Sequence, residues 1–112
     1  MDIKDFIQEW IAVGNSYDTK KYLSFYDDEA VLDDPSVGRK FIGISGIRTY
    51  FEDYFIAYKT QTTLVALQLI DHEHAHLEVK FVGVFPEGEI GGTFDFTFKN
   101  GKIYFLKANL VG

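Results

Sequence analysis

Asp33 and Asp34 end a short apolar run, immediately before Pro35. The run from Ala30 to Leu32 is typical of a β-strand, and proline ends a strand because it has no N–H to donate to the ladder. Side chains alternate between the two faces of a strand, so only one of the two carboxylates can face the interior. Desolvation beside an apolar cavity would favour the neutral form of that carboxylate and make it a better proton acceptor. The alternative is a structural role, in which Asp34 bonds to neighbouring loop amides.

Three histidines, His72, His74 and His76, alternate along one segment, and Glu78 continues the row. On an extended strand all four side chains would share one face, which suggests a metal site. Same-face positions are ~6.6 Å apart, however, too far for three neighbours to reach one zinc ion at ~2.1 Å without a bulge or turn. We therefore expect no metal site and place the histidines in a solvated turn or at a subunit interface.

Aromatic residues with polar tips are the third feature that could do chemistry. Trp10, Tyr26, Tyr50 and Tyr54 could supply hydrogen-bonding groups inside an apolar chamber and so orient a ligand. The alternative is that these side chains belong to the core, with each polar tip reaching a partner or solvent. We expect the core role for most of them.

Helical periodicity in the first half of the chain must position these groups. Apolar residues recur at i, i+3 and i+4 from Asp2 to Val13, which predicts a first helix that Gly14-Asn15 ends. Asp18 is suited to cap a second helix through about Tyr26, because its carboxylate can accept from the first-turn N–H groups. After a loop with Gly38 and Gly43, a third helix carries a wide stripe: Ile47, Tyr50, Phe51, Tyr54, Phe55 and Tyr58.

Strand patterns fill the second half of the chain. Four strands are predicted, from Thr62 to Ile70, Ala75 to Phe85, Ile90 to Lys99 and Lys102 to Leu110. Asn100-Gly101 predicts a two-residue hairpin turn, because both residues tolerate positive φ, and the segment from Pro86 to Glu89 predicts another hairpin tip. Helices followed by a strand meander, without repeats or linkers, indicate one α+β domain over residues 1–112.

Composition excludes several classes of function. The hydrophobic fraction of 46% and aromatic fraction of 17% indicate a folded domain. A net charge of -6 without a Lys/Arg stripe argues against nucleic-acid and acidic-membrane partners. The absence of cysteine excludes disulfides, thiolate catalysis and Cys-ligated zinc. Two acids interrupt the N-terminal segment and no apolar run approaches the ~20 residues that span a bilayer, so we expect a cytoplasmic protein.

Taken in order, these elements resemble the SnoaL-like branch of the nuclear transport factor 2-like superfamily, which also contains ketosteroid isomerase. The resemblance covers nearly the whole chain, and it is carried by Trp10 through Pro35, by Gly43, Ile47 and Phe51, and by the hairpin from Asn100 to Ile103. It implies three N-terminal helices packed on a curved antiparallel sheet, forming a cone with an apolar pocket (a cystatin-like roll). Because the superfamily contains isomerases, cyclases, dehydratases, hydrolases and non-catalytic proteins, the resemblance implies a fold more strongly than an activity.

The resemblance also implies roles for individual residues. In ketosteroid isomerase-like members, the aspartate immediately before this proline is the general base, and Asp34 matches it. The oxyanion-binding tyrosine of the first helix aligns with Trp10, which is the exception we expect to reach the pocket. The second oxyanion donor, a protonated aspartate, aligns with Phe94, which cannot donate. Asp95 should point outward if the phenylalanines of its strand point inward. We therefore do not expect steroid isomerisation by the known arrangement.

The predicted site has Asp34 as the catalytic base. The predicted ligand-binding residues are Trp10, Tyr26, Tyr50, Phe51, Tyr54, Phe55, Val79, Phe81, Phe94, Phe96 and Leu110. We expect the pocket to bind a small hydrophobic molecule, carbonyl-bearing or cyclic, and an enzyme of this kind would act as an isomerase, cyclase or lyase without a metal or organic cofactor. The alternative is a non-catalytic dimeric module that binds a ligand or a partner. An outer sheet face that mixes charge with Val82, Val84 and Phe105 predicts a homodimer.

Overall fold

Two aspartates begin the first two helices, as the sequence predicts. The computed structural model describes residues 1–111, so Gly112, the last residue of the predicted domain, lies outside the described residues. Helix α1 (Ile3–Asn15) follows Asp2, and helix α2 (Thr19–Leu23) follows Asp18. Each capping carboxylate accepts a hydrogen bond of 3.1 Å from the backbone N–H three residues later. These bonds satisfy donors that a helix leaves unpaired in its first turn.

The third helix changes its winding where the aromatic stripe continues. Helix α3 (Gly43–Phe51) passes directly into a π-helical turn (Glu52–Ile56) instead of continuing to Tyr58 as an α-helix. The wider turn carries Tyr54 and Phe55. A π-turn inside a helix shifts the following side chains around the axis, and such turns are frequent at functional sites. Among residues 1–111, no helix is both long enough and apolar enough to cross a membrane.

One six-stranded sheet packs against these helices, with the strand order β2-β1-β6-β5-β4-β3. Its strands are β1 (Tyr26–Asp34), β2 (Arg39–Ile42), β3 (Gln61–Asp71), β4 (His74–Val82), β5 (Glu89–Lys99) and β6 (Lys102–Val111). The two predicted turns are present: Asn100 and Gly101 have φ of 53° and 76°, and Gly88 in the β4–β5 connection has φ of 70°. The α+β class and the order of helices before the strand meander are confirmed.

Three predictions about the sheet differ from the structure, each through long-range pairing. Tyr26 begins β1 instead of ending α2, because it pairs with Ile103 of β6. The expected loop after Pro35 contains β2, which forms by pairing antiparallel with the end of β1. The sheet is also not wholly antiparallel, since β1 runs parallel to β6. These two strands are separated along the chain by α3 and four other strands, so their relative direction is not set by a hairpin.

Alternation along β4 and β5 forms the sheet's side of the core, as predicted. The inward-facing residues are each at most 7% exposed: Ala75, Leu77, Val79, Phe81, Phe94, Phe96 and Phe98. They pack under the apolar stripes of the helices. Asp95 lies on the other face, where Asp95 Oδ1 is 2.6 Å from His76 Nδ1. The alternation therefore leaves one inner face that packs against the helices.

Candidate functional site

An open cavity of about 210 Å³ lies between the α3–π-turn segment and the far ends of β4, β5 and β6. The strand end at Asp34 and the hairpin tip after β4 complete its wall. The lining residues are Asp34, Ser36, Val37, Tyr50, Tyr54, Phe55, Tyr58, Thr60, Phe81, Phe85, Glu87, Ile90 and Leu110. Most of this lining is apolar or aromatic, which is typical of a small-molecule site with a few polar groups that fix orientation.

Burial divides the wall into a floor and a rim. The floor consists of the buried lining residues, which are Asp34, Tyr50, Phe55, Thr60 and Phe81. The rim consists of the exposed ones, which are Ser36, Tyr58, Glu87 and Leu110. The cavity therefore has an inner end that holds a carboxylate and an outer end that meets solvent.

Asp34 is the polar centre of the floor. Its side chain is 6% exposed. Oδ1 accepts from the backbone N–H of Ser36 at 3.0 Å and from the Ser36 hydroxyl, and Oδ2 accepts from the Tyr50 hydroxyl at 3.1 Å. Asp33 lies on the opposite face and is half-buried. The bond to the Ser36 amide is the contact that a purely structural role for Asp34 predicts. The same carboxylate also lines the cavity.

Tyr50 acts as a hydrogen-bond donor to this carboxylate. Burial, followed by the neighbouring negative charge of Asp34, raises the pKa of the Tyr50 phenol well above its usual range. The phenol therefore keeps its proton at neutral pH. An ionised carboxylate offers about four acceptor positions. With three donors already bound, Asp34 has room for one more hydrogen bond, from a ligand in the cavity.

The positions that align with oxyanion donors lie in the core, away from this wall. The Trp10 Nε1–H donates to the Tyr26 hydroxyl at 3.2 Å, and the Tyr26 and Tyr22 hydroxyls are 2.7 Å apart. The Phe94 ring packs edge-on against Trp10, with centroids 5.1 Å apart. Burial raises the pKa of both tyrosines, so they too stay protonated. The Trp10 N–H, which the resemblance would place in the pocket, therefore donates within the core instead.

The structure divides the predicted site residues into two groups. The cavity wall contains Asp34, Tyr50, Tyr54, Phe55, Phe81 and Leu110. The packed core contains the others, each at most 3% exposed and outside the wall: Trp10, Tyr26, Phe51, Val79, Phe94 and Phe96. This corrects the expectation that Trp10 reaches the pocket. Strand and helix periodicity predict which side chains face inward, but not where the two layers separate to leave space.

Seven wall residues were not among the predicted site residues, and all of them except Ile90 lie between the helices and strands. They are Ser36, Val37, Tyr58, Thr60, Phe85, Glu87 and Ile90. Loop residues commonly complete binding sites on a rigid scaffold. The one available signal was the turn sequence around Pro86 and Gly88, which marked a hairpin tip without showing that it folds over the cavity.

Gly92 in β5 leaves room for the Phe81 ring beside its backbone. A Cβ at Gly92 would overlap Phe81 Cε2. The ring also contacts Phe55 edge-on, with centroids 5.8 Å apart. Glycine in a strand interior often marks such a close approach. The absence of a side chain at Gly92 therefore leaves the space that the Phe81 ring occupies.

The charges around the cavity are all negative. Asp34 and Glu87 line it, and no Lys, Arg or His among residues 1–111 does. The histidines lie elsewhere: the His74 Nδ1 atom is 2.9 Å from Asp71, and His76 faces Asp95 on the outer sheet surface. Within residues 1–111, no group of three His, Cys, Asp or Glu side chains is arranged to hold a metal ion.

Comparison with known families and structures gives the chain its context. A family model of the SnoaL-like domain matches residues 7–105. No curated protein sequence matches closely enough to count as a relative. Many solved structures share the fold.

Three of these structures illustrate the likeness. A candidate polyketide cyclase from Sinorhizobium meliloti has a TM-score of 0.83 and 22% identity, with 93% of each chain covered. SalBIII, an epoxide hydrolase/cyclase-like enzyme of pyran ring formation in the polyether salinomycin, has a TM-score of 0.83 and 17% identity over 96% of this chain and 89% of its own. A candidate ketosteroid isomerase from Kribbella flavida has a TM-score of 0.83 and 12% identity over 96% of this chain and 76% of its own. At these identities the likeness shows the fold alone.

Proposed function

Because the chain belongs to the SnoaL-like domain family, we propose that its cavity binds a small, largely hydrophobic molecule, cyclic or carbonyl-bearing, and that Asp34 transfers a proton on it. The observation that carries this proposal is the buried Asp34 carboxylate on the floor of an apolar cavity, with one acceptor position left for a ligand. Fold relatives named for cyclase and isomerase chemistry support it.

The size of the cavity narrows the ligand. A cavity of about 210 Å³ exceeds the ~150 Å³ that accommodates benzene, and it is smaller than the ~300–1,000 Å³ of most drug-sized sites. One ring with a short substituent fits inside, and a larger ligand must extend past the rim. A four-ring steroid is too large to be enclosed.

In the reaction we propose, Asp34 takes a proton from the carbon next to a carbonyl group. The electron pair of the broken C–H bond moves into an enolate, and return of the proton from Asp34 to that carbon, or to the γ carbon of an unsaturated ketone, restores the carboxylate. The negative charge on the enolate oxygen needs a hydrogen-bond donor. Tyr50 already donates to Asp34, so we assign this role to the hydroxyl of Tyr54, which also lines the cavity and is half-buried.

Deuterium exchange tests the proton transfer directly. A monocyclic ketone such as cyclohexanone in D2O is followed by NMR with wild type, Asp34→Asn and Asp33→Asn. We expect wild type to accelerate exchange, Asp34→Asn to lower the rate by roughly 10²-fold or more, and Asp33→Asn, the matched neighbour on the opposite face, to stay within about twofold. Equal rates for wild type and Asp34→Asn would remove Asp34 from the chemistry.

The second candidate is a non-catalytic dimeric module that binds a ligand or partner in the same fold. Two observations favour it: three donors hold the Asp34 carboxylate, and Trp10 and Phe94 pack against each other instead of supplying oxyanion donors. Calorimetric binding of cyclic ketones to wild type and Asp34→Asn, without exchange by either protein, would support this candidate over the enzyme.

We also propose a homodimer through the outer face of the sheet and keep the cytoplasm as the expected compartment. Val82 and Val111 are 44% and 57% exposed at this face, which also carries the half-buried Phe105 farther along β6. Covering such apolar surface is a common reason for strands of one sheet to face a second copy. Light scattering at micromolar concentration should give the mass of two chains, and a monomer there would contradict the proposal.

A further inference from the structure

The rim of the cavity, together with the half-buried Phe85 next to it, contains groups that the proposed proton transfer does not use. Tyr58 and Phe85 meet edge-to-face with ring centroids 6.4 Å apart, and Glu87 lines the same wall. Backbone bonds hold this corner together, because the Val84 N–H donates to the Tyr58 carbonyl at 2.8 Å and the Gly88 N–H donates to the Phe85 carbonyl at 2.8 Å. The two rings and the carboxylate therefore come from two turns, one before β3 and one after β4, which the Val84–Tyr58 backbone bond joins.

The charge around the cavity selects against anions. Its wall contains the carboxylates of Asp34 and Glu87 and, within residues 1–111, no basic side chain. The chain as a whole carries a net charge of -6, so the long-range field also attracts cations. A neutral ligand gains little from Glu87. A cation gains from the carboxylate and from the faces of the aromatic rings.

A cationic side chain of the protein, that of Arg39, packs over an aromatic ring next to the cavity wall. The Arg39 guanidinium lies 4.3 Å from the centroid of the Phe41 ring. Phe41 in turn contacts Tyr50 and Tyr54 edge-on, with centroids 5.0 Å and 6.3 Å apart. Arg39 does not line the cavity. The rings of the wall itself thus remain available to a cation from solution.

We propose that the rim binds an ammonium group, so that the ligand is a small organic cation, with its apolar ring toward the floor and its nitrogen among Tyr58, Phe85 and Glu87. This inference rests on the proposed cavity being the ligand site, and it names the class of ligand. The arrangement leaves Asp34 on the floor for the carbon that reacts. It also explains why an acid, and not a neutral side chain, stands on an aromatic rim.

Three probes that share one benzyl or phenyl ring separate charge from shape. Titration calorimetry on the full chain compares benzyltrimethylammonium, benzyl alcohol and benzoate. We expect the cation to bind roughly tenfold or more tightly than the alcohol, and benzoate to bind most weakly. Raising the salt concentration should weaken binding of the cation and leave the alcohol nearly unchanged.

A matched pair of charge-neutralising variants tests the site. Glu87→Gln should weaken binding of the cation several-fold and leave binding of the alcohol unchanged. Glu9→Gln, at an exposed position on α1 outside the cavity, should change neither affinity. Equal affinity of wild type for the cation and the alcohol would overturn this inference and leave the proposed cavity site intact. Failure of all three probes to bind would overturn both, and equal effects of the two variants would assign any cation preference to net charge alone.

Discussion

Two polar clusters lie inside this protein, and they differ in whether a hydrogen-bonding position is left free. The closed cluster, Trp10 with Tyr22 and Tyr26, links an indole N–H and two hydroxyls to one another in the core. The open cluster, Asp34 with Ser36 and Tyr50, borders the cavity. In the closed cluster the polar groups satisfy each other, so they specify packing. In the open cluster a carboxylate keeps an acceptor position beside empty space, so it can meet a ligand.

Removing Trp10 should give the largest effect on the closed cluster. Its side chain is 3% exposed and packs against Tyr22, Phe94 and Phe96. We expect Trp10→Ala to lower the free energy of unfolding by about 3–5 kcal/mol, through lost burial and a cavity. Chemical denaturation measures this. Tyr58→Ala at the exposed rim, the matched truncation, should cost well under half as much, and equal losses would show that the rim is as tightly packed as the core.

The two tyrosines of the closed cluster should respond unequally to loss of a hydroxyl. The Tyr26 hydroxyl hydrogen-bonds to both the Trp10 N–H and the Tyr22 hydroxyl, whereas the Tyr22 hydroxyl hydrogen-bonds to Tyr26 alone within this cluster. Tyr26→Phe leaves the buried Trp10 N–H without an acceptor, at a cost of roughly 1–3 kcal/mol, while Tyr22→Phe should cost about 1 kcal/mol. Denaturant midpoints with matched slopes would measure both. A larger cost for Tyr22→Phe would contradict the described network.

A side chain at Gly92 should damage the open cluster's cavity more than the fold. The added Cβ in Gly92→Ala overlaps the Phe81 ring, and such overpacking costs roughly 1–3 kcal/mol. Because Phe81 belongs to the floor, a shifted ring should also reduce probe binding in calorimetry. Gly101→Ala is the control: its φ of 76° strains an alanine and lowers stability, but its Cβ meets open space far from Phe81, so it should keep full binding. Undiminished binding by Gly92→Ala would show that Phe81 does not limit the cavity.

Because both clusters contain buried tyrosines, the free energy of unfolding should fall in alkali, and each of these tyrosines should contribute to the fall. The pKa values of Tyr22, Tyr26 and Tyr50 are raised above 10.0 by burial. Above that pH the unfolded chain releases protons that the folded chain keeps, so stability falls as pH rises, by about 1.4 kcal/mol per pH unit for each tyrosine. Between pH 10 and 11 the unfolded phenol is only partly ionised at first, so the slope should decrease by roughly 1 kcal/mol per pH unit in Tyr50→Phe. Tyr104→Phe, at a position 37% exposed, is the control, and equal slopes in the two variants would exclude burial as the cause.

Local signals predicted much of the fold, for identifiable reasons. The caps at Asp2 and Asp18 and the Asn100-Gly101 turn depend on neighbouring residues only, so they are visible in the sequence. The opposite faces of Asp33 and Asp34 follow from strand alternation. By contrast, β2 and the parallel β1–β6 pair depend on partners far along the chain. The π-turn that carries Tyr54 and Phe55 likewise has no periodicity signal of its own.

By itself, the sequence determined the α+β class and the opposite faces of Asp33 and Asp34, because periodicity and capping are local properties of the chain. The family resemblance then selected Asp34 as the carboxylate of the pocket. Only the tertiary structure decided that Trp10 belongs to a closed cluster and that Glu87, from a hairpin tip, reaches the same cavity as Asp34. The physical reason is that a cavity is the space between elements. Its shape depends on how the π-turn, the Phe81 ring and the tip after β4 meet, and no local pattern specifies the distances between them.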